Sequence, residues 1–329
     1  MSRYFVSIRG YLDEPLVLVA DLAAGRIVRT LPLGVDAAAR WAPVTKRGIT
    51  GLAVAGDHLF AASWASIYVV HIATGKVEEV ITSPLFSDLH GLRVDRDGSL
   101  WVVSTNLDSV LHVRGRDVVW RWSAFEHAEL GEPMALAEHD FRPLQKAVIP
   151  YYRHHVNDVH VDADTLWVSY LGAHRTWVPS RRLMQLLMRL AVPVHRFDGG
   201  LIRVDRTTGS VRKVAAINGP HDCLRLDGVL HLTEFFGHRL LRFDLATETL
   251  TAARLPPRHI AERQRYLTRG LCAASDGSLL VGYTLRRHRR QPGRWARIDR
   301  FTQDPFQRAN SLELEGFSDV YAIAPMTVR

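Results

Sequence analysis

The chain has 329 residues, of which 47% are hydrophobic and 23% charged, and a formal net charge of +8. That balance excludes a disordered chain and leaves room for one large domain or two modest ones. The positive charge is nearly all arginine, since Lys46, Lys76, Lys146 and Lys213 are the only lysines. The arginines are spread along the chain, apart from the Arg286–Arg290 run, so nucleic acid is not the expected partner.

In chain order, three short β-patterned runs come first, at 4–8, 16–20 and 25–29. From Gly51 onward a phrase of two β-patterned runs around an Asp/Gly turn recurs, at 51–63, 91–104, 158–169, 222–233 and 270–282. Each copy reads as a hairpin. A second hairpin usually follows, as at 67–77, 201–211 and 240–250. The unit is thus four strands, a to d. The first two copies start 40 residues apart, the pitch of a propeller blade. Strand a of a further blade reads at 320–325, and strands b, c and d are the three N-terminal runs. The expectation is an all-β, six-bladed β-propeller occupying 1–329 as a single domain, with the C-terminal strand closing the ring against the N-terminal blade. A seventh blade hidden in the long inserts is the alternative.

The a-to-b and c-to-d turns are short. The long inserts, at about 123–154, 171–199, 252–267 and 285–295, are all d-to-a or b-to-c connections. Those share one face, so the inserts are expected to cap one mouth of the central channel. Within 171–199, Arg181, Arg182, Gln185 and Arg189 form a polar stripe on an otherwise apolar 181–191 segment. It reads as a helix packed on the propeller, as a lid or homodimer contact, or as a membrane-surface helix. Cys223 and Cys272 lie in apolar runs without a C-x-x-C pair, the N-terminus has no signal-like apolar core, and no run is long enough to span a bilayer. A cytoplasmic protein is expected.

Sixteen histidines stand out. Aligning the copies places Thr50, His90, Asn157, His221, Arg269 and Ser318 at the start of strand a, facing the loop-bearing mouth. Gly51, Gly91, Asp158, Asp222, Gly270 and Asp319 follow them. Strand b ends contribute Thr105, Asn106, Tyr170 and Glu234, and His154 and His155 precede the third strand a. Imidazoles and carboxylates converging there suit a divalent metal, and Arg269 suits a carboxylate or phosphate. The same positions suit a second reading. Asp at repeated strand starts bonds to local backbone, and Asp158, Asp222 and Asp319 are equivalent.

The carrying residues His90-Gly91-Leu92, His155-Val156-Asn157-Asp158-Val159 and Gly219-Pro220-His221-Asp222 resemble motifs of the six-bladed superfamily of senescence-marker-protein/gluconolactonase, paraoxonase and strictosidine synthase families. The blade pattern extends the resemblance over most of the chain. It implies a divalent ion, often calcium, at the channel mouth, with Asn157 and Asp222 matching its Asn and Asp ligands. The family's first-blade Glu has no counterpart, because Thr50 or Ser318 stands there, and Glu234 is the substitute. Extra histidine favours zinc, iron or another transition metal. Phe235-Phe236 after Glu234 also resembles virginiamycin-lyase-like propellers.

The expected function is metal-dependent lactone or ester hydrolysis of a small, anionic substrate. Asn157, His221, Asp222 and Glu234 would hold the ion, His90, His155 and Asp158 would be catalytic, and Arg269, Tyr170 and Asn106 would bind substrate. A metal-assisted lyase and a metal-free condensing enzyme are alternatives. So is a non-catalytic binding propeller using Arg286–Arg290.

Overall fold

Each repeat copy folds as two antiparallel hairpins joined into one sheet, and there are six such sheets in a computed structural model. It describes residues 3–8, 16–34, 48–144, 149–172, 174–176, 195–235, 239–255, 266–285, 295–304 and 306–326. The first blade contains β1 (Arg3–Ser7), β2 (Leu16–Asp21) and β3 (Arg26–Pro32). The second has β4 (Gly51–Ala55), β5 (His58–Ala62), β6 (Ile67–His71) and β7 (Val77–Ile81). The third has β8 (Leu89–Val94), β9 (Leu100–Ser104), β10 (Ser109–Arg114) and β11 (Asp117–Ser123).

The fourth blade runs β12 (Val156–Val161), β13 (Thr165–Tyr170), β16 (Gly200–Asp205) and β17 (Val211–Ala216). A two-stranded ribbon, β14 (His174–Thr176) with β15 (His195–Phe197), is inserted between its strands b and c. The fifth has β18 (Pro220–Leu226), β19 (Val229–Glu234), β20 (Arg239–Asp244) and β21 (Leu250–Arg254). The sixth has β22 (Tyr266–Ala273), β23 (Leu279–Leu285), β24 (Ala296–Gln303) and β25 (Phe306–Leu314). Finally β26 (Ile323–Pro325) pairs antiparallel with β1, Ile323 opposite Val6, and completes the first blade. The ring therefore closes as the sequence predicts, with six blades and not seven.

Both faces of a blade are buried against neighbours, so successive residues of one strand feed different seams. Val17 and Val19 pack toward the second blade, and Leu18 and Ala20 toward the sixth. Six apolar clusters fill the six seams. Trp101 and Trp167 lie in two of them, between blades three and four and between four and five. The inner strands β4, β8, β12, β18, β22 and β26 contact one another in sequence and line the channel.

The insert after β11 builds a small core of its own. Phe125, Phe141, Ile149 and Tyr151 pack with Leu107 and with Leu85 of the blade below. Trp64 Nε1–H donates to the Arg142 carbonyl at 2.8 Å and ties the insert to blade two. The predicted 181–191 helix and the Arg286–Arg290 run lie outside the described residues. No helix among the described residues is long and apolar enough to cross a membrane.

Candidate active site

Four inner strands carry a register shift at their mouth ends. These fall between Leu89 and Leu92, Val156 and Asp158, Pro220 and Cys223, and Arg269 and Leu271. Bulges re-aim side chains, and these four sit on the positions of His90, Asn157, His221 and Gly270. The sequence pattern marked the positions but carried no sign of the bulges.

The bulges bring the histidines together. The His90 ring lies 5.5 Å from that of His155 and 6.2 Å from that of His221, centroid to centroid. Tyr321 completes the group at 5.3 Å from both His90 and His221. Phe235 stacks on His221 at 5.5 Å. The Arg269 guanidinium is gripped by its faces, 4.4 Å from the Phe235 ring centroid and 4.2 Å from that of Tyr321, a favourable cation–π geometry.

The hydrogen bonds define proton positions. His90 Nδ1 lies 2.9 Å from the Asp88 carbonyl, which only accepts, so Nδ1 carries the proton. The Tyr321 hydroxyl, 2.8 Å away, then donates to His90 Nε2. Asp88 is held at φ 53°, which turns its carbonyl to that nitrogen. On the other side, the Tyr152 hydroxyl is bonded to His155 Nδ1. Burial, with the charges of Asp108 and Asp88 close by, pushes the Tyr152 phenol well above its ordinary pKa, so it keeps its proton. Neither tyrosine was singled out from sequence. Tyr321 lies in the incomplete final copy, and Tyr152 in an insert.

Below the ring, the channel narrows to a cavity of about 30 Å³ lined by Thr50, His90, Asn157, His221, Asp222 and Tyr321, among others. That is room for about one water and too little for an organic molecule. Asn157 Nδ2–H donates to the Pro220 carbonyl at 2.9 Å, while its buried Oδ1 has no hydrogen-bond partner.

The carboxylates expected at the site are engaged elsewhere. Asp158 Oδ2 is paired with Arg93 and accepts Cys223 N–H at 2.9 Å, and Oδ1 accepts Val159 N–H at 2.9 Å. It clamps blade three to blades four and five. Burial pushes its carboxyl up to about 6, with Arg93 pulling down and the charge of Asp222 pushing up. Asp222 accepts the Thr233 hydroxyl on Oδ2 and Gly270 N–H, at 3.0 Å, on Oδ1, and so clamps blade five to blade six. Burial raises its pKa, but His221, the Thr233 hydroxyl and Gly270 N–H outweigh that and hold it below the usual carboxylate range. Glu234 is turned to Arg239, whose two nitrogens hold both carboxylate oxygens, one at 2.6 Å.

The two other residues expected to bind substrate also lie away from the ring. Asn106 is fully buried in the 3-10 turn Thr105–Leu107, its Nδ2–H donating to Ser87 Oγ at 3.1 Å. Tyr170 packs against His154, at 5.8 Å, and lines a separate cavity of about 610 Å³ on the flank of blade four.

These contacts decide whether the expected ion fits. A divalent cation takes carboxylate oxygens, and the two carboxylates of the expected ligand set, Asp222 and Glu234, already accept from protein donors on both oxygens. His90 has both nitrogens engaged, and Arg269 brings a positive charge into the group. The donor set does not fit the divalent ion the resemblance implies. Among the described residues, Asp95, Asp97 and His112 form one group with metal-like spacing, at an opposite-face turn. Ser99, Trp101 and Arg114 already hydrogen-bond those groups.

No family model matches the chain, and no curated protein matches it. Among solved structures it is similar to a protein of unknown function from Bacteroides caccae, with TM-score 0.65, 11% identity and 98% of each chain covered. It is also similar to a chain of the nidogen/laminin complex, with TM-score 0.59, 11% identity and coverage of 99% of this chain and 100% of that one. Virginiamycin B lyase from Staphylococcus aureus aligns at TM-score 0.50 and 12% identity, over 94% of this chain and 84% of that one. Likeness at such identities carries the fold, an all-β six-bladed propeller, and leaves membership of the gluconolactonase-type superfamily as an expectation.

Proposed function

We propose that this protein is an acid–base enzyme acting on a small anionic molecule at the channel mouth, by hydrolytic opening of a lactone or ester. The observation that carries the reading is the chain Tyr321 O–H to His90 Nε2, with His90 Nδ1–H fixed on the Asp88 carbonyl. A reactive hydroxyl, a base within hydrogen-bond reach and a group that orients the base form the arrangement that activates a proton for removal. As the Tyr321 oxygen takes a proton from the attacking water, its own proton passes to His90 Nε2. The imidazolium that forms stays anchored on Asp88. The Arg269 guanidinium over the Tyr321 ring supports the phenolate character that develops. Its edge donates to the substrate's anionic group. His155, opposite His90 and bonded to Tyr152, acts in its protonated form: it gives its Nε2 proton to the leaving alkoxide and is recharged, through solvent, by the proton that His90 gained from water.

This reading departs from the metal-dependent one, because the carboxylates that would hold an ion are occupied by arginine, hydroxyl and N–H donors. Turnover of a panel of carboxylate-bearing lactones and esters, by protein dialysed against chelator, tests it. Activity that survives chelation is expected. Arg269→Ala should raise KM, and His90→Ala should lower kcat by about 10²–10⁴-fold. No turnover across the panel, or turnover that disappears with chelation, defeats the proposal. Deuterium uptake at a substrate carbon, without bond hydrolysis, would shift it to an elimination.

A further inference from the structure

His90 and His221 stand within strands β8 and β18, each in a bulge with ladder-paired residues on both sides. His155 does not. It precedes β12, at the end of the insert, with φ 56°, a left-handed conformation that is uncommon for a residue other than glycine. Something must hold it there.

Asp108 is placed to do so. It caps the 3-10 turn Thr105–Leu107 on the mouth face, is itself left-handed at φ 44°, and is fully buried. Its Oδ2 accepts Arg153 N–H and His154 N–H, each at 2.6 Å, and its Oδ1 accepts Val156 N–H at 3.1 Å. These are the peptide groups on both sides of His155. The Asp108 carbonyl also accepts Ala124 N–H at 2.9 Å. One residue therefore joins the start of the insert to its end. On the carbonyl side, Leu171 N–H and Gly172 N–H donate to His155 and His154 at 3.0 and 2.8 Å, and complete the grip. Burial pushes the Asp108 carboxyl up to about 6, against the pull of the His154, Arg153 and Val156 N–H groups.

We infer that Asp108 is a positioning residue: by collecting the N–H groups around His155 it locks the left-handed turn that aims this imidazole at His90. The inference rests on the reading of His155 as an acid–base group, and deepens it. An amide at this position offers one acceptor and turns an NH2 toward the backbone donors. Asp108→Asn should therefore release the turn while leaving β8 and β18 in place.

Side-chain NMR of the histidines in the full-length protein tests this without any substrate. Expected in Asp108→Asn is a displaced His155 imidazole signal, a smaller change at His90, whose ring packs against that of His155, and none at His221. Asp108→Glu, which keeps the charge but overshoots the amides by one methylene, should give the same pattern, and stands in if the Asn variant does not fold. A folded variant with all three signals as in wild type overturns the inference, as does equal displacement of all three. Should a substrate be found, Asp108→Asn is expected to cause no further loss of kcat in a His155→Ala background. Should none be found, the NMR result still decides the positioning role.

Discussion

Asp158 has the repeat position of a catalytic group and the contacts of a clamp, and Asp158→Asn separates the two. The carboxylate is pushed from 3.8 up to about 6 in the folded protein. Between those values the native state keeps a proton that the unfolded chain has released. Stability therefore falls as pH rises through this window, and the loss is complete above about 6. Linkage puts the cost of ionising Asp158 at roughly 1 kcal/mol at pH 4.5 and roughly 3 kcal/mol at pH 7.

The Asn variant escapes that cost. It gives up charge-assisted bonds to Arg93 and Cys223 N–H, and leaves either that pair or Val159 N–H facing an amide NH2, together worth about 3–5 kcal/mol. Arg93 is not stranded, because it also donates to the Leu92 and Cys223 carbonyls at 2.9 and 3.0 Å. The variant should be destabilised by about 0–2 kcal/mol at pH 7 and by about 2 kcal/mol more at pH 4.5. Urea unfolding of both proteins at the two pH values measures this, and titrating groups that do not interact with Asp158 cancel in the difference. A gap that is independent of pH, or that widens toward neutrality, refutes the reasoning. Turnover per folded molecule that collapses in Asp158→Asn would restore the residue to catalysis.

Arg239→Ala leaves Glu234, whose side chain is 1% exposed, without its paired cation, and should cost about 3 kcal/mol as water fills the half-exposed site. Thermal unfolding reads it, and an unchanged Tm would mean that the pair is not structural. Gly91→Ala would put a Cβ 2.3 Å from Asp158 Oδ1 and 2.9 Å from its Cα. It should cost about 3 kcal/mol and disturb the seam between blades three and four, visible as lost amide protection in β8 and β12.

The blade pattern was legible because every copy carries its own Asp/Gly turn and its own period-two run. The copies therefore confirm one another where a single hairpin would be ambiguous. His90, His221 and Arg269 were legible for the same reason, as they occupy one repeat position on different blades. His155 is reached by a different route, through a left-handed turn at the end of an insert, which no repeat encodes. Tyr321 comes three residues after Ser318, the residue that alignment placed on the ring, because the closing strand starts only at Ile323. Glu234, expected as a ring ligand, is paired with Arg239, and the sequence carried a signal for that pairing. Arg239 begins strand c directly opposite the last residue of strand b, and opposite charges facing each other across a hairpin pair readily.

The placement of charge supports an anionic ligand without an ion. Each acidic group that sequence alone would give to the site, as a metal ligand or a catalytic group, has a protein donor in front of it: Arg93 and backbone N–H at Asp158, Thr233 and Gly270 N–H at Asp222, and Arg239 at Glu234. Those contacts spend the negative charge on joining blades and strands. What faces the mouth is a set of imidazoles and phenols, with the guanidinium of Arg269 between two aromatic faces. Aromatic stacking holds an arginine by its faces and leaves its edge geometry suited to two oxygens of a carboxylate or phosphate. A dication would have to enter beside that positive charge and displace hydrogen bonds already made. An anion meets a guanidinium, a phenol and imidazoles arranged to move a proton, which is why the site reads as acid–base chemistry on an anionic molecule.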